Sequence, residues 1–208
     1  MVKQRSQRII KRGFDIAGGA VLLTASLPAF ALLSVMIRKE SDGPVFFIHR
    51  RVGQGGKPIS IYKFRSMRAG SEDLEAALND RDLEEYYREF KLKNDPRITE
   101  IGHILRKNSI DELPQLINVL QGRMSLVGPR PVTEEELNYY SDEERTRFLS
   151  VKPGLTGYWQ VYAGNDATYQ SGKRQQMELY YAENESIMLD LKILLKTPLA
   201  ILRKRGTC

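Results

Sequence analysis

The sequence predicts an α+β fold that is mainly helical and has one small sheet. Two runs rich in β-branched and aromatic residues, Val45 to Val52 and Ile59 to Phe64, flank a turn of glycines and a proline, a pattern typical of a β-hairpin. Most of the remaining chain shows the apolar spacing of amphipathic helices. The 208 residues suffice for one sizeable domain with an appendage.

The first forty residues are the appendage. Residues 16–37 carry no charge and follow five Lys and Arg residues, and this length just crosses a bilayer as a helix at about 1.5 Å per residue. Arg38 and Lys39 make the other flank basic as well, so the positive-inside rule keeps both ends cytoplasmic. Pro28 removes a helical hydrogen bond near the middle. We therefore predict a re-entrant membrane hairpin over residues 1–40, with a single-pass anchor as the alternative.

Residues 41–208 are predicted to form a cytoplasmic catalytic domain. The chain has 32 Lys and Arg against 26 Asp and Glu, a balance that suits nucleic acid, anionic lipid or phosphorylated substrates. The only cysteine is Cys208, so no disulfide forms within the chain, and no zinc site of Cys or His ligands is expected. The basic residues accompany apolar segments and no nucleic-acid motif, so nucleic acid is not a predicted partner.

The stretch from Asp95 to Pro131 is predicted to carry the chemistry. At its centre lies the acidic pair Asp111 and Glu112, with basic residues on both sides in the sequence, including Arg106 and Arg130. Carboxylates set among cations are typical of a site for a phosphorylated, metal-bound substrate. A divalent cation and arginines can neutralise the phosphates that such a substrate brings.

The acidic pair also has a structural interpretation. The apolar residues after Asp111 follow helical spacing, and Gly122 provides a C-terminal stop. Asp111 is then the N-cap and Pro114 falls in the first turn, where its missing N–H breaks no bond. A capping box of Ser109 and Glu112 is a second, less favoured register. Since a helix N-terminus favours phosphate, capping and catalysis are compatible roles for Asp111.

Two cations of the second predicted strand are further candidates. Lys63 and Arg65 lie two residues apart, so a strand places both on the same face. That face is either part of an anion site or a solvated basic surface.

Other segments are predicted from their patterns alone. Residues 71–93 are expected to form a peripheral, acidic helical insertion, and residues 133–151 one or two amphipathic helices. Residues 155–164 are predicted to form a short aromatic strand, and residues 170–183 a polar helix.

The apolar run near the C-terminus is interrupted by charges. Residues 187–205 are therefore predicted to form a helix pair that breaks near Pro198 and lies in the membrane interface. Asp190 within this run is either a paired structural acid or a second acid of the site.

Five motifs, in this order, carry a family resemblance: KFRSM (63–67), DPRIT (95–99), LRKNSIDELPQL (105–116), MSLVGPRP (124–131) and KPGLTGYWQV (152–161). Together they resemble the bacterial monotopic phosphoglycosyl transferases, or bacterial sugar transferases, which start polysaccharide and glycan assembly on polyprenyl phosphate. The resemblance covers nearly the whole chain.

The resemblance implies transfer of a sugar-1-phosphate from a UDP-sugar to undecaprenyl phosphate, with release of UMP. It implies Mg²⁺ as cofactor, a membrane helix broken at Pro28, and contact with membrane lipid on the cytoplasmic face of the bacterial inner membrane. By motif match, Asp111 is the nucleophile and a metal ligand, and Glu112 is its partner. The cations expected to bind substrate are Lys63, Arg65, Arg106 and Arg130.

Two other functions stay open at the level of sequence. One is a glycosyltransferase that moves the sugar alone and releases UDP, and the other is a non-catalytic basic module that binds the membrane surface.

Within the family, the long insertion and the RKRGTC ending favour the hexose-transferring branch. The segment from Tyr162 to Asp166 lacks an arginine that many members carry. The sugar, the glycan pathway and the oligomeric state, a homodimer included, are left open.

Overall fold

A computed structural model of the chain describes residues 2–71, 73–90, 92 and 94–203. The α-helices are α1 (Val2–Glu40), α2 (Leu74–Ala77), α3 (Asp80–Glu89), α4 (Glu100–Lys107), α5 (Gln115–Leu120), α6 (Asp142–Phe148), α7 (Tyr158–Tyr162), α8 (Lys173–Glu183) and α9 (Ile187–Leu202). The strands are β1 (Phe46–Val52), β2 (Pro58–Phe64), β3 (Ser125–Val127) and β4 (Gly154–Thr156). Short 3-10 turns cover Gln54–Gly56, Ile110–Glu112, Glu136–Tyr139 and Gly164–Asp166. The mainly helical α+β class is confirmed. The terminal Cys208 and its basic neighbours lie outside the described residues.

Two small sheets organise the domain. Strands β1 and β2 form the predicted antiparallel hairpin, with Phe46 opposite Phe64 and Val52 opposite Pro58. Strands β3 and β4 pair in parallel, a sheet that the sequence did not predict. The main core lies where β2, α5, β3 and α9 meet, and its fully buried side chains include Ile61, Leu116, Met124 and Ile193.

The predicted aromatic strand over residues 155–164 is wrong beyond its first two residues. Strand β4 ends at Thr156, and the aromatic residues after Gly157 form helix α7. Its partner β3 has three residues and is followed by Gly128 and then Pro129, which has no N–H, so the ladder stops there. Without a pairing strand, the aromatic residues pack as a helical turn.

Helix α1 contacts the domain near both of its ends. Towards its N-terminus, Arg12 donates hydrogen bonds to the carbonyl oxygens of Val119 and Leu120 at 2.6 and 2.7 Å. Towards its C-terminus, the ring of Phe30 packs on that of Phe64 with centroids 4.8 Å apart. The helix is continuous through Pro28, and the re-entrant path through a membrane stays a prediction.

The segment Gln7–Glu40 of α1 is long and apolar enough to span a membrane, with a mean hydropathy of 2.2 in its most apolar window. Little of that window is buried in the protein. Large apolar side chains exposed on α1 are Ile9, Ile10, Ile16, Val21, Leu22, Leu27, Leu32 and Val35, and those on α9 are Met188, Leu191, Leu195, Leu199 and Leu202. These two surfaces suggest a membrane-associated protein.

The predicted break near Pro198 is wrong, because α9 is one continuous helix. Buried Ile193 and Ala200 hold the helix against the core on both sides of the proline. The hydroxyl of Thr197 also donates to the carbonyl oxygen of Ile193 at 2.8 Å, which satisfies a backbone group beside the missing bond. Packing and this side-chain bond offset the cost of the proline.

Asp190 is the paired structural acid of the two alternatives. Its carboxylate lies 2.6 Å from the ammonium of Lys11 and accepts a hydrogen bond from the hydroxyl of Tyr181 at 2.6 Å. Lys11 also donates to the carbonyl oxygen of Val127 at 3.0 Å. These four buried groups join α1, β3, α8 and α9 in one polar network.

We expect Lys11→Met to lower the free energy of unfolding by about 3 kcal/mol, because it leaves the buried Asp190 carboxylate without its counter-charge. The melting temperature of the detergent-solubilised protein should fall by about 6–12 °C. Arg8→Met is the control, since it removes a cation from an exposed position of the same helix. An equal fall in melting temperature in both variants would contradict a specific role for the ion pair of Lys11 and Asp190.

Candidate active site

The acidic pair lies in the 3-10 turn Ile110–Glu112 rather than at the start of α5. The predicted N-cap role of Asp111 is therefore wrong, because α5 begins at Gln115. The reason is local. An N-cap at Asp111 would need a donor from Leu113 or Pro114, but the Leu113 N–H donates to the Ile110 carbonyl and proline has no N–H. The capping box of the alternative register does not form either.

Glu112 is held by two cations. One of its oxygens, Oε1, accepts from the Lys63 ammonium at 2.7 Å and lies 3.5 Å from the guanidinium of Arg130. Burial alone would raise the pKa of Glu112, but the charges of Lys63 and Arg130 outweigh it and lower that pKa to about 2. Glu112 is thus a fixed, ionised carboxylate.

Asp111 differs from its neighbour in having no cation bound to it. Its side chain is 6% exposed, and within the described part of the chain its carboxylate accepts no hydrogen bond and forms no ion pair. Burial raises the pKa of Asp111, Lys63 partly offsets this, and the charge of Glu112 adds to the rise. A desolvated carboxylate without a partner is a stronger base and nucleophile than a solvated one.

Glu112 also lines a small, polar cleft. The polar side chains of the cleft are Arg51, Lys63, Gln115, Arg130 and Gln160, and its apolar wall includes Ile61 and Leu155. Three cations around one cleft suit a ligand with several negative charges, such as a diphosphate. The side-chain oxygen Oε1 of Gln160 is buried and has no partner among the described residues.

The cations predicted for the site separate into two groups. Lys63 and Arg130 contact Glu112, and Arg106 lies near enough to Asp111 to lower its pKa while it donates to the hydroxyl of Ser66 at 2.9 Å. Arg65 lies elsewhere.

Arg65 is bound to the end of the membrane helix. Its guanidinium donates to the carbonyl oxygens of Ser41 and Asp42 at 2.6 and 2.8 Å, just after α1. The two cations predicted to share a strand face therefore have different partners, since Lys63 contacts Glu112. Arg65 therefore orients the C-terminal end of α1.

Sequence reasoning missed Arg51, Gln115 and Gln160. Successive side chains of β1 point to opposite faces, so Arg51 lies on the face opposite to the exposed Arg50. This period of two could have identified the inward-facing residues of the strand from the sequence. Its guanidinium donates to Glu136 at 2.8 Å, which fixes it beside the cleft. The two glutamines have no sequence feature that separates them from other buried amides.

His49 lies on the same face of β1 as Arg51, and Arg51 Nη2 approaches its ring nitrogen Nδ1 at 3.3 Å. Burial, followed by the charges of Arg51 and Lys63, lowers the pKa of His49 to about 3. The imidazole is therefore neutral at physiological pH and adds no charge to the cleft.

The described residues hold no group of three or more His, Cys, Asp or Glu side chains that would cage a metal ion. Mg²⁺ is usually held in another way, through one or two carboxylates together with water and substrate phosphates. The unpaired carboxylate of Asp111 fits that requirement, whereas Glu112 Oε1 is bound to Lys63. A magnesium ion at Asp111 stays a prediction.

The family model described as "Bacterial sugar transferase" matches residues 6–204. The chain belongs to the bacterial sugar transferase family. The resemblance predicted from the five motifs is thereby confirmed.

Several bacterial sugar transferases and related proteins are similar to this chain. It is 44% identical over 206 residues to the UDP-galactose-lipid carrier transferase of Erwinia amylovora, covering 98% of this chain and 42% of the relative. Identity to the undecaprenyl-phosphate galactose phosphotransferase of Salmonella typhimurium is 43%, with the same coverage. Identity to the exopolysaccharide production protein ExoY of Rhizobium meliloti is 42%, over 95% of this chain and 87% of the relative. The chain thus spans under half the length of the first two relatives and most of the third.

We expect substitutions of the two adjacent carboxylates to change stability in opposite directions. The pKa of Asp111 is raised by burial, so its ionised form destabilises the fold above that pKa. Asp111→Asn should therefore stabilise the protein by about 1 kcal/mol, or about 2–4 °C in melting temperature, at about pH 8. The gain should shrink as the pH falls through the raised pKa of Asp111 towards its unfolded value.

Glu112→Gln is the matched substitution. The folded-state pKa of Glu112 is depressed, so its contribution is present above the unfolded pKa and lost as the pH falls towards about 2. At about pH 8, this variant should melt below the wild type. Thermal unfolding of both variants in detergent measures the change in melting temperature. If both variants melted above the wild type, or both below it, the difference in burial and pairing between Asp111 and Glu112 would have no effect on stability.

Proposed function

We propose that this bacterial sugar transferase moves a sugar-1-phosphate from a UDP-sugar to undecaprenyl phosphate and releases UMP. The observation that carries the proposal is the unpaired, buried carboxylate of Asp111 beside Glu112, which Lys63 and Arg130 hold. Two relatives support the substrate classes, since one is named for undecaprenyl phosphate and the other for UDP-galactose and a lipid carrier.

The first half-reaction forms a covalent intermediate. A carboxylate oxygen of Asp111 attacks the β-phosphorus of the UDP-sugar, and the bond from that phosphorus to the oxygen of UMP breaks. UMP leaves with the electron pair, and the sugar phosphate stays on Asp111 as a mixed acyl phosphate. The ionised form of Asp111 is the one that attacks, and from that form the step needs no proton transfer.

The second half-reaction regenerates the enzyme. An oxygen of undecaprenyl phosphate attacks the same phosphorus, and the bond to Asp111 breaks. The product is a lipid diphosphate sugar, and Asp111 returns as a carboxylate. We assign both halves to one site, the cleft that Lys63, Arg130 and Arg51 line together with Glu112.

Charge neutralisation lets a carboxylate approach a diphosphate. Lys63 and Arg130 offset the phosphate charge from one side, and Arg106 adds a cation near Asp111. Asp111 would hold Mg²⁺, which would supply further charge stabilisation for the phosphates. The amides of Gln115 and Gln160 are placed to bind uncharged groups of the donor, such as the uracil or sugar hydroxyls.

The exposed apolar surfaces of α1 and α9 support a position of the protein at the membrane. We place α1 in the cytoplasmic leaflet of the inner membrane on a re-entrant path, and the exposed apolar face of α9 in the interface. Support comes from the contacts of both ends of α1 with a single domain, because those ends then lie on the same side of the bilayer.

We expect Asp111→Asn to abolish UMP release and leave membrane association intact, because it removes the nucleophile at nearly constant shape. The assay contains purified protein in detergent, undecaprenyl phosphate, Mg²⁺ and a panel of UDP-sugars. UDP-galactose and UDP-N-acetylgalactosamine come first, since relatives are named for both sugars. Without lipid, intact-mass analysis should find one added sugar phosphate on the wild type and none on Asp111→Asn.

Asp95→Asn serves as the control, because this buried acid is paired with Arg97 and does not line the cleft. It should keep the covalent adduct even if it melts earlier. Release of UDP instead of UMP would establish the alternative of sugar transfer alone. No product and no adduct with any donor would favour the non-catalytic membrane module.

The reaction should also lose rate at low pH, because only ionised Asp111 attacks. Lys63 lowers the pKa of Asp111 against the effect of burial, so Lys63→Met should raise that pKa and move the acid limb of kcat/KM to higher pH. Arg50→Met removes an exposed cation from the same hairpin and should leave the limb in place. If the acid limb of kcat/KM stayed at the same pH in Lys63→Met, the titration of a group other than Asp111 would determine that limb.

A further inference from the structure

The tripeptide Pro129-Arg130-Pro131 has one backbone donor, the N–H of Arg130, because proline has none. That N–H donates to the side-chain oxygen Oε1 of Glu178 on α8, at 3.2 Å. The carbonyl of Pro129 accepts from the N–H of Gly154 on β4 at 2.8 Å. The tripeptide is thus tied to the domain on both sides, once by a backbone group and once by a carboxylate.

Glu178 is an unusual residue for this position. It is 1% exposed, and its second oxygen, Oε2, is buried without a hydrogen-bond partner among the described residues. Burial of a carboxylate costs free energy unless all of its oxygens are satisfied. A stable fold alone would favour an apolar residue or an amide here.

We propose that Glu178 is a positioning residue, which fixes the backbone of Arg130 so that its guanidinium stays beside Glu112 and the phosphates of the donor. This inference rests on the proposed function for the role of Arg130. Only one residue separates Glu178 from the acidic pair. Glu178 accepts from the backbone N–H of Arg130, and the guanidinium of Arg130 lies 3.5 Å from Glu112, next to Asp111.

The first test does not depend on activity. Glu178→Leu keeps the helix and the approximate volume but removes the acceptor. Site-resolved hydrogen exchange at the Arg130 amide should become about tenfold faster in this variant, because a hydrogen bond to a charged group is lost. Gln175→Leu is the control: it removes a buried polar group from the same side of α8, whose amide donates to the Tyr169 carbonyl and not to Arg130.

The second test is kinetic. Glu178→Leu should lower kcat/KM for the UDP-sugar about tenfold, and Glu178→Gln should recover most of that loss, because an amide oxygen still accepts from the Arg130 N–H. Gln175→Leu should change the melting temperature but leave kcat/KM within about threefold of the wild type.

A pH profile separates positioning from packing. Burial raises the pKa of Glu178 to about 7, although the nearby cations Arg174 and Arg130 oppose it. The acidic groups of Glu136 and Tyr140 face it from the preceding segment. Ionisation of Glu178 strengthens its hydrogen bond to the Arg130 N–H. In the wild type, kcat/KM should therefore rise as the pH increases through about 7, and this rise should be absent in Glu178→Gln.

Each result supports or overturns the inference. It is overturned if Arg130 exchange is unchanged in Glu178→Leu, if Gln175→Leu loses as much kcat/KM, or if Glu178→Gln is as impaired as Glu178→Leu. Failure of the proposed function is distinguishable, because a wild type that releases no UMP would leave the exchange experiment to decide whether Glu178 orders Arg130.

Discussion

The ion pair of Glu112 with Lys63 is the interaction on which the candidate site depends. It joins the hairpin to the turn between α4 and α5, and it draws Arg130 to the same carboxylate. Because Glu112 takes up these cations, its neighbour Asp111 is left buried and unpaired. Adjacent residues with the same charge thereby acquire opposite properties, one with a lowered and the other with a raised pKa.

That difference has a cost in stability. The desolvation of Asp111 is only partly offset by nearby cations, and Arg51, Arg174 and Glu178 also keep buried polar atoms without hydrogen-bond partners among the described residues. Such groups are usually satisfied where only folding matters. The unpaired guanidinium nitrogens of Arg51 and Arg174 lie near Glu136, which is consistent with a region arranged for an anionic ligand that would accept hydrogen bonds from them.

Local patterns in the sequence predicted the hairpin, most of the helices and the acidic pair, because each depends on residues close together in the chain. The errors arose where a missing backbone donor or a tertiary contact decides. Asp111 does not cap a helix because Pro114 lacks the necessary donor, and the aromatic run after Gly157 is helical because β3 offers no further pairing. Arg65 binds the carbonyl groups just after α1, a contact between residues far apart in the chain.

Arg51 and Glu178 show a deeper limit. Their importance comes from contacts made at separations of 85 and 48 residues, with Glu136 and Arg130, and no local periodicity encodes such pairings. A family resemblance identified the acidic pair, yet it did not distinguish the cations that contact Glu112 from one that orients a helix. Geometry was needed for that distinction.

The membrane helix and the site are mechanically connected through α5. Arg12 of α1 binds the last carbonyl groups of α5, and α5 begins three residues after Glu112. Lys11 fixes the same part of α1 to Asp190 on α9, whose exposed face is apolar. Because these contacts are buried and charged, displacement of α1 would leave unpaired charges in the core, which is strongly unfavourable. The exposed apolar surfaces of α1 and α9 are therefore held at a fixed position relative to the acidic pair, as the proposed transfer of a phosphate to a lipid acceptor requires.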